Sequence, residues 1–144
     1  MEREASLSCL ALTMTPGTAA RLSARAKRGL AIVSGLVRGV DAIAHQGATS
    51  VGGHAIGVPG TGIDVCYPKE YRKLYEKVLE RGAIISELPT GSHPAPENFP
   101  VRNRIFAGMP RGVGIVEGKQ YSGLLITARL AMEFGREVLA CRAT

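Results

Sequence analysis

The sequence has few cysteines and histidines and no long apolar run, and each of these shortages excludes a class of protein. Its 144 residues contain three cysteines and three histidines, all far apart and without the close spacing of zinc ligands. We therefore predict reduced cysteines, no metal ion and a cytosolic location. The apolar stretch 7–14 is too short to span a bilayer, and the acidic Glu2 and Glu4 before it are unlike a signal peptide. We expect no membrane or targeting segment.

Composition and charge are those of one folded domain with a basic surface. A hydrophobic content of 45% is enough for a substantial core in a chain of this length. Eighteen basic and twelve acidic residues give a net charge of +6, and the excess lies towards the two ends of the chain. Such a distribution is compatible with a polyanionic partner but does not demonstrate one.

Short apolar runs alternate with longer segments of helical pattern. The runs are continuous and do not alternate with polar residues, which is typical of parallel strands buried on both faces. The pattern predicts a Rossmann-like α/β fold, with a mostly parallel sheet between two layers of helices in a three-layer α/β/α arrangement. The predicted strands are Leu7–Thr13, Leu30–Val33, His54–Val58, Ala83–Ser86, Val113–Glu117 and Glu137–Cys141.

The most informative segment is Asn98–Gly108, where a loop is predicted to become a helix. It combines Arg102, Asn103 and Arg104 with an aromatic residue, Phe99. Guanidinium groups bind phosphate oxygens in bidentate fashion, and an aromatic ring can stack on a base. The segment therefore indicates a nucleotide or nucleic-acid ligand. The alternative is that both arginines only solvate a helix start and that Phe99 belongs to the core.

Three further loops follow predicted strands, where ligands of open parallel sheets bind. Arg38 stands near a helix start, where a cation is disfavoured, so it is expected either to hold an anion or to pair with Asp41. The glycine turn 59–64 would allow a ligand to approach the backbone. Ser122 is either an N-cap or a donor to a phosphate, together with the amides beside it.

Five segments together resemble the DNA-processing protein A family, also called DprA or Smf, over about residues 30–141. The resemblance implies a Rossmann-like domain of a bacterial cytosolic protein that binds single-stranded DNA without sequence preference. The segments are SGLVRGVDAIAH at 34–45, GTGIDVCYP at 60–68, SELPTGSHP at 86–94, NFPVRNRIFAG at 98–108 and SGLLITARLAMEFGREV at 122–138.

The resemblance also implies a role, partners and a binding pocket. The protein would protect DNA that enters during natural transformation and would help to load the RecA recombinase; a homodimer is a further expectation. No catalytic turnover and no cofactor are implied. The residues that would contact DNA are Arg38, Phe99, Arg102, Asn103, Arg104, Ser122 and Gly123.

The chain departs from the family pattern mainly near its start. Segment 10–17 stands where the family has a glycine-serine-arginine turn, and Leu124 replaces a small hydroxyl residue. We therefore treat residues 1–29 as an atypical first strand and helix, for which truncation is an open hypothesis, and residues 30–144 as the Rossmann-like part of the same domain. The family normally continues beyond Thr144.

Two other functions stay open on the sequence. One is a nucleotide-binding or nucleotide-hydrolysing protein related to phosphoribohydrolases, with Asp64, Glu87 and Glu117 as candidate carboxylates that otherwise cap turns and strand ends. The glycine turn and catalytic glutamate expected of such hydrolases do not occur together here, which favours binding. The other is a degenerate fragment without function.

Overall fold

The computed structural model describes residues 7–11, 24, 26–37, 40–116 and 123–141. Within these ranges strands and helices alternate. The strands are β1 Leu7–Ala11, β2 Ala31–Ser34, β3 Ala55–Gly57, β4 Ala83–Ile84, β5 Gly112–Val116 and β6 Glu137–Cys141. The α-helices are α1 Val40–Ser50, α2 Arg72–Arg81, α3 Asn98–Gly108 and α4 Gly123–Glu133, and the 3₁₀ turn Lys69–Tyr71 leads into α2.

The six strands form one sheet in the order β4-β3-β2-β1-β5-β6, and every neighbouring pair is parallel. Strand β1 lies in the middle, with Cys9 beside Val33 of β2 on one side and beside Val113 of β5 on the other. The chain adds β2 to β4 on one side of β1 and then returns to add β5 and β6 on the other. The strand order therefore reverses beside β1, where sheets of this kind bind ligands.

Each face of the sheet has its own hydrophobic core, because successive strand residues point to opposite faces. Ile32 packs in a cluster with Leu36, Ala44 and Val78, which lies under α1 and α2. The neighbouring Val33 belongs to a second cluster. That second cluster lies under α3 and α4 and also contains Val58, Ala107, Val113 and Ala131.

The predicted fold class is confirmed: helices cover both faces of a parallel sheet. All six predicted strands occur, each within a few residues of the predicted ends. Three predicted functional or candidate residues, Arg38, Glu117 and Ser122, lie outside the described part of the chain. None of the helices in the described ranges is long and apolar enough to cross a membrane.

Candidate nucleic-acid interface

The start of helix α3 lies against the carboxyl ends of β2 and β3, at the edge of the sheet where parallel α/β folds bind ligands. Arg102 makes this connection. Its guanidinium donates hydrogen bonds to the carbonyl oxygens of Gly35 at 2.7 Å and of Val58 at 2.5 Å, which follow β2 and β3 respectively. Its Nε donates to Oδ1 of Asn103 at 3.0 Å. Arg102 therefore joins two strand ends to the helix.

Arg102 is almost completely buried, at 5% exposure, and Asn103 is 8% exposed. A charge at such depth is stable only when hydrogen bonds and opposite charges compensate its lost hydration. The buried carboxyl group of Asp41 interacts electrostatically with Arg102. Sequence reasoning predicted a phosphate contact for Arg102, whereas the structure shows its guanidinium bound to backbone carbonyls.

Asp41 holds the turn that follows β2. Its Oδ2 accepts hydrogen bonds from the backbone N–H groups of Gly35 at 3.0 Å and Val37 at 3.5 Å. Burial raises the pKa of the Asp41 carboxyl, while its charge interaction with Arg102 acts in the opposite direction. Leu36, between the two donors, has a positive φ of 56°, a conformation that non-glycine residues adopt only when their surroundings impose it. The hydrogen bonds to Asp41 thus fix the backbone conformation of this turn.

Phe99 lies half-buried at the first turn of α3. A Cβ atom added to Gly60 would come within 2.8 Å of the Phe99 ring, so the ring rests directly on the glycine backbone. The guanidinium carbon of Arg102 is 5.4 Å from the ring centroid, within range of a cation–π interaction. The ring of Tyr67 lies 6.4 Å away from that of Phe99, centroid to centroid, with a tilt of 47°.

Arg104 points to a different side of α3 from Phe99. Because each helical residue turns by about 100°, Arg102 is offset from Phe99 by about 60° around the axis and Arg104 by about 140°. Arg104 is 54% exposed and forms an ion pair with Glu87, which comes from the long loop after β4. It therefore carries the accessible cationic group of this corner among the residues that the structure describes on α3.

The long loop between β4 and α3 is tied to the glycine turn after β3. Gly62 donates its N–H to the carbonyl of Ser92 at 2.9 Å, and Asp64 accepts the N–H of Gly91 at 2.7 Å. A Cβ atom on Gly62 would lie 2.7 Å from the Pro89 carbonyl oxygen. We predicted that the glycines of this turn admit a ligand. That interpretation is wrong, because Phe99 and the loop itself fill the space beside them.

The candidate residues are thus only partly brought together. Phe99, Arg102 and Asn103 lie on adjoining sides of α3, and Gly123 is the first residue of α4. Arg104 faces Glu87, and Asp64 accepts a loop N–H, so both described candidate carboxylates have structural partners. The DNA-binding role stays a prediction for all seven candidate residues, of which Arg38 and Ser122 lie outside the described ranges.

Tyr67 was not among the predicted site residues, and the burial of His45 was not predicted. Tyr67 follows the glycine turn, and its carbonyl accepts a hydrogen bond from the Tyr75 hydroxyl at 3.0 Å, a group whose pKa burial raises to about 12. An aromatic-proline pair after a glycine turn was the available signal. His45 is fully buried in α1, and neither ring nitrogen has a hydrogen-bond partner among the described residues. Burial lowers the pKa of His45 to about 4.

Comparisons with known proteins show which sequences and structures this chain is similar to. The sequence model of the family described as DNA recombination-mediator protein A matches residues 12–144. Protein Smf of Synechocystis is 49% identical over 114 residues, which cover 79% of this chain and 29% of that protein. DNA processing protein DprA of Streptococcus pneumoniae is 48% identical over 111 residues, covering 77% of this chain and 39% of the relative. This chain therefore spans about a third of the length of these curated relatives.

Two solved structures are similar over nearly the whole chain. DNA processing protein A from S. pneumoniae superposes with a TM-score of 0.81 at 37% identity, covering 97% of this chain and 51% of that one. DNA processing protein A from Helicobacter pylori, studied for its single-stranded DNA binding mode, gives a TM-score of 0.83 at 27% identity. That match covers 94% of this chain and 64% of the other.

Proposed function

Because the chain belongs to the DNA recombination-mediator protein A family, we propose that it binds single-stranded DNA without sequence preference. The edge of the sheet at the start of α3 is the proposed contact surface. A single-stranded DNA binding mode is known for the relative from H. pylori, and the two chains align over most of this domain. The proposed role is DNA processing during recombination.

The observation that carries the proposal is that α3 bears both an accessible cation and an aromatic ring that packing holds in place. Arg104 is 54% exposed beside Glu87, and Phe99 is held against the backbone of Gly60. Cations that neutralise phosphates and rings that stack on bases are the two elements of sequence-independent single-strand binding. Duplex DNA keeps its bases stacked inside, so it could use the cations but not the ring.

Arg102 takes a different role in this proposal from that of Arg104. Its guanidinium donates hydrogen bonds to two backbone carbonyls and to Asn103. We therefore assign to Arg102 and Asn103 the positioning of Phe99 and of the strand ends. Arg38 and Ser122, together with Gly123, remain proposed DNA contacts on the resemblance alone.

The cellular role is a wider proposal. We propose that the protein acts in the bacterial cytosol, protects DNA taken up in natural transformation and assists RecA loading without catalytic turnover. A homodimer is proposed as the working form. These points rest on family membership, and this chain spans only part of its curated relatives.

The test is fluorescence anisotropy of a labelled dT oligonucleotide over a salt series, with a duplex of equal length alongside. We expect tighter binding of the single strand, and an affinity that falls with salt with a slope of about −0.7 for each phosphate neutralised. Arg104→Ala should weaken binding and reduce the slope by about that amount. Arg129→Ala is the matched control, because Arg129 is also exposed and paired, with Glu133 at 3.4 Å on α4.

Two results would contradict the proposal. One is an absence of binding at low salt by protein whose circular dichroism and thermal unfolding show that it is folded. The other is equal loss of affinity in Arg104→Ala and Arg129→Ala, which would indicate general attraction to a basic protein and not a site at α3.

A further inference from the structure

A row of basic side chains lies at the edge of the sheet where the strands begin. Because all neighbouring strands are parallel, their amino ends meet at one edge, opposite the edge where α3 begins. Exposed basic residues of the described ranges come just before five of the six strands of this amino edge. They are Lys27 and Arg28 before β2, His54 before β3, Arg81 before β4, Arg111 before β5 and Arg136 before β6.

The two fully described loops at the opposite edge have the reverse charge. Segments 58–68 and 85–97, which follow β3 and β4, contain Asp64, Glu87 and Glu97 but no lysine or arginine. Helix α2, which has ten residues and is about 15 Å long, separates the two edges. The cations of the described loops are therefore concentrated at the amino edge, away from the proposed single-strand site.

Hydrogen bonds hold two of these guanidinium groups without neutralising them. Nη1 of Arg81 donates to the carbonyl of Gly52 at 3.2 Å, and Nε of Arg136 donates to the carbonyl of Gly108 at 3.0 Å. The Nδ1 of His54 donates to the carbonyl of Arg81 at 2.6 Å, which ties the start of β3 to the end of α2. A carbonyl carries no net charge, so both arginines keep their full positive charge.

Acidic groups offset only part of this charge. Glu80 and Glu137 adjoin the edge along the chain, where five lysine and arginine side chains stand. Lys27 and Arg28 form no ion pair with a carboxylate of the described residues. Helices also end at this edge, and the partial negative charge of a helix end favours cations beside it. That partial charge stays at the backbone, whereas the exposed side chains meet a polyanion first.

We infer that the amino edge binds the phosphate backbone of DNA, as a second surface separate from the start of α3. Neighbouring strands are about 4.8 Å apart, so six strands spread the basic row over about 24 Å. Phosphates follow one another at about 3.4 Å along one strand of a duplex, so a row of this length faces several phosphates at once. DNA is the polyanion in question because the chain belongs to the DNA recombination-mediator protein A family. The inference rests on that membership and not on the single-strand preference of the proposed function.

A surface that contacts only the backbone accepts duplex and single strands alike. Lysine and arginine neutralise phosphates of either form, whereas the proposed site on α3 uses unpaired bases. Duplex DNA is therefore the probe that reports on the amino edge. A protein with both surfaces would hold a single strand at α3 and a second DNA segment at the amino edge at the same time.

The experiment titrates a labelled duplex and a dT oligonucleotide of equal length in a salt series, with wild type and Lys27→Ala/Arg28→Ala. The variant should bind duplex about 10- to 60-fold more weakly at about 0.1 M salt and reduce the salt slope by about 1.8, because each neutralised phosphate contributes about 0.9. Its affinity for dT should fall less, since α3 still holds the strand. Arg72→Ala/Lys73→Ala is the matched control, because it removes the same charge from an exposed pair at the first turn of α2, at the opposite edge. Arg136→Ala, which should reduce the slope by about 0.9, tests the edge independently of the double variant.

The outcomes separate this inference from the proposed function. Equal loss of duplex affinity in the edge variant and in the control would overturn the amino edge and indicate general attraction to a basic protein. A wild type that binds dT but no duplex at low salt would also overturn it and leave the proposed function standing. Equal affinity of wild type for dT and duplex, with both reduced in Lys27→Ala/Arg28→Ala, would support the amino edge and overturn the single-strand preference. Failure of both probes to bind would overturn both.

Discussion

Replacing Arg102 with alanine tests whether the two arginines of helix α3 have different roles. Arg102→Ala removes the donor to the carbonyls of Gly35 and Val58 and to Asn103, and it leaves the buried Asp41 without its nearby positive charge. All of these groups stay buried or half-buried in the folded chain. Water cannot replace the lost hydrogen bonds without opening the structure.

The magnitude follows from the burial of this group. Each hydrogen bond to a charged group contributes about 1.5–3 kcal/mol, and removing one partner of a buried charged network costs about 3–5 kcal/mol in all. A domain of this kind has a free energy of unfolding of about 5–15 kcal/mol, so Arg102→Ala should remove a large share of it. Arg104 is 54% exposed, and exposed ion pairs contribute about 0–1 kcal/mol.

Urea unfolding followed by far-ultraviolet circular dichroism measures both variants. With a slope of about 1–3 kcal/mol per molar urea, Arg102→Ala should lower the midpoint by about 1–5 M, whereas Arg104→Ala should change it little. Arg102→Lys should fall between them, because an ammonium group cannot reproduce the planar fork. An Arg102→Ala midpoint within about 0.5 M of that of Arg104→Ala, at equal slope, would refute the structural role of Arg102.

Two further predictions concern charge at the site and in the core. Glu87→Gln should raise the affinity for a dT oligonucleotide about 2- to 5-fold in an anisotropy titration, because it frees Arg104 from a competing carboxylate; Glu133→Gln is the control, and unchanged affinity would contradict the idea. Burial lowers the pKa of His45 from 6.5 to about 4. As pH falls through this range, His45 takes up a proton in the unfolded chain before it does so in the folded chain, so its contribution to stability is lost. Between about pH 7 and pH 5, wild type should lose about 2 kcal/mol more unfolding free energy than His45→Leu. The raised pKa of Asp41 changes stability in the opposite direction, but it is common to both proteins. Parallel pH profiles of the two proteins would contradict the lowered pKa of His45.

The strands were predictable because their signal is local. Continuous apolar runs bounded by glycine or polar residues predicted all six, and the observed β2, Ala31–Ser34, is shifted by one residue from the predicted Leu30–Val33. The charged segment 69–81 forms the 3₁₀ turn Lys69–Tyr71 followed by α2, Arg72–Arg81. Ends of helices depend on capping and packing, so they are less certain from sequence than the existence of the element.

The role of the glycines could not be predicted from sequence. Gly60 and Gly62 stand in a pattern typical of a ligand-binding turn, yet the first makes room for Phe99, far along the chain, and the second for the loop at Pro89. A glycine shows that something comes close to the backbone. Only the packing of distant segments decides whether the group beside a glycine belongs to a ligand or to the protein itself.

The sequence by itself determined the α/β class, the order of its elements and the presence of a basic, aromatic corner on α3, because each depends on neighbouring residues. Tertiary structure decided how that corner is used. Arg102 and Arg104 stand two positions apart and therefore point about 160° apart around the helix. The docking of α3 against the ends of β2 and β3 buries Arg102 on backbone carbonyls and leaves Arg104 exposed beside Glu87. Two identical side chains in one motif thus acquire different environments, since burial is a property of the assembled fold.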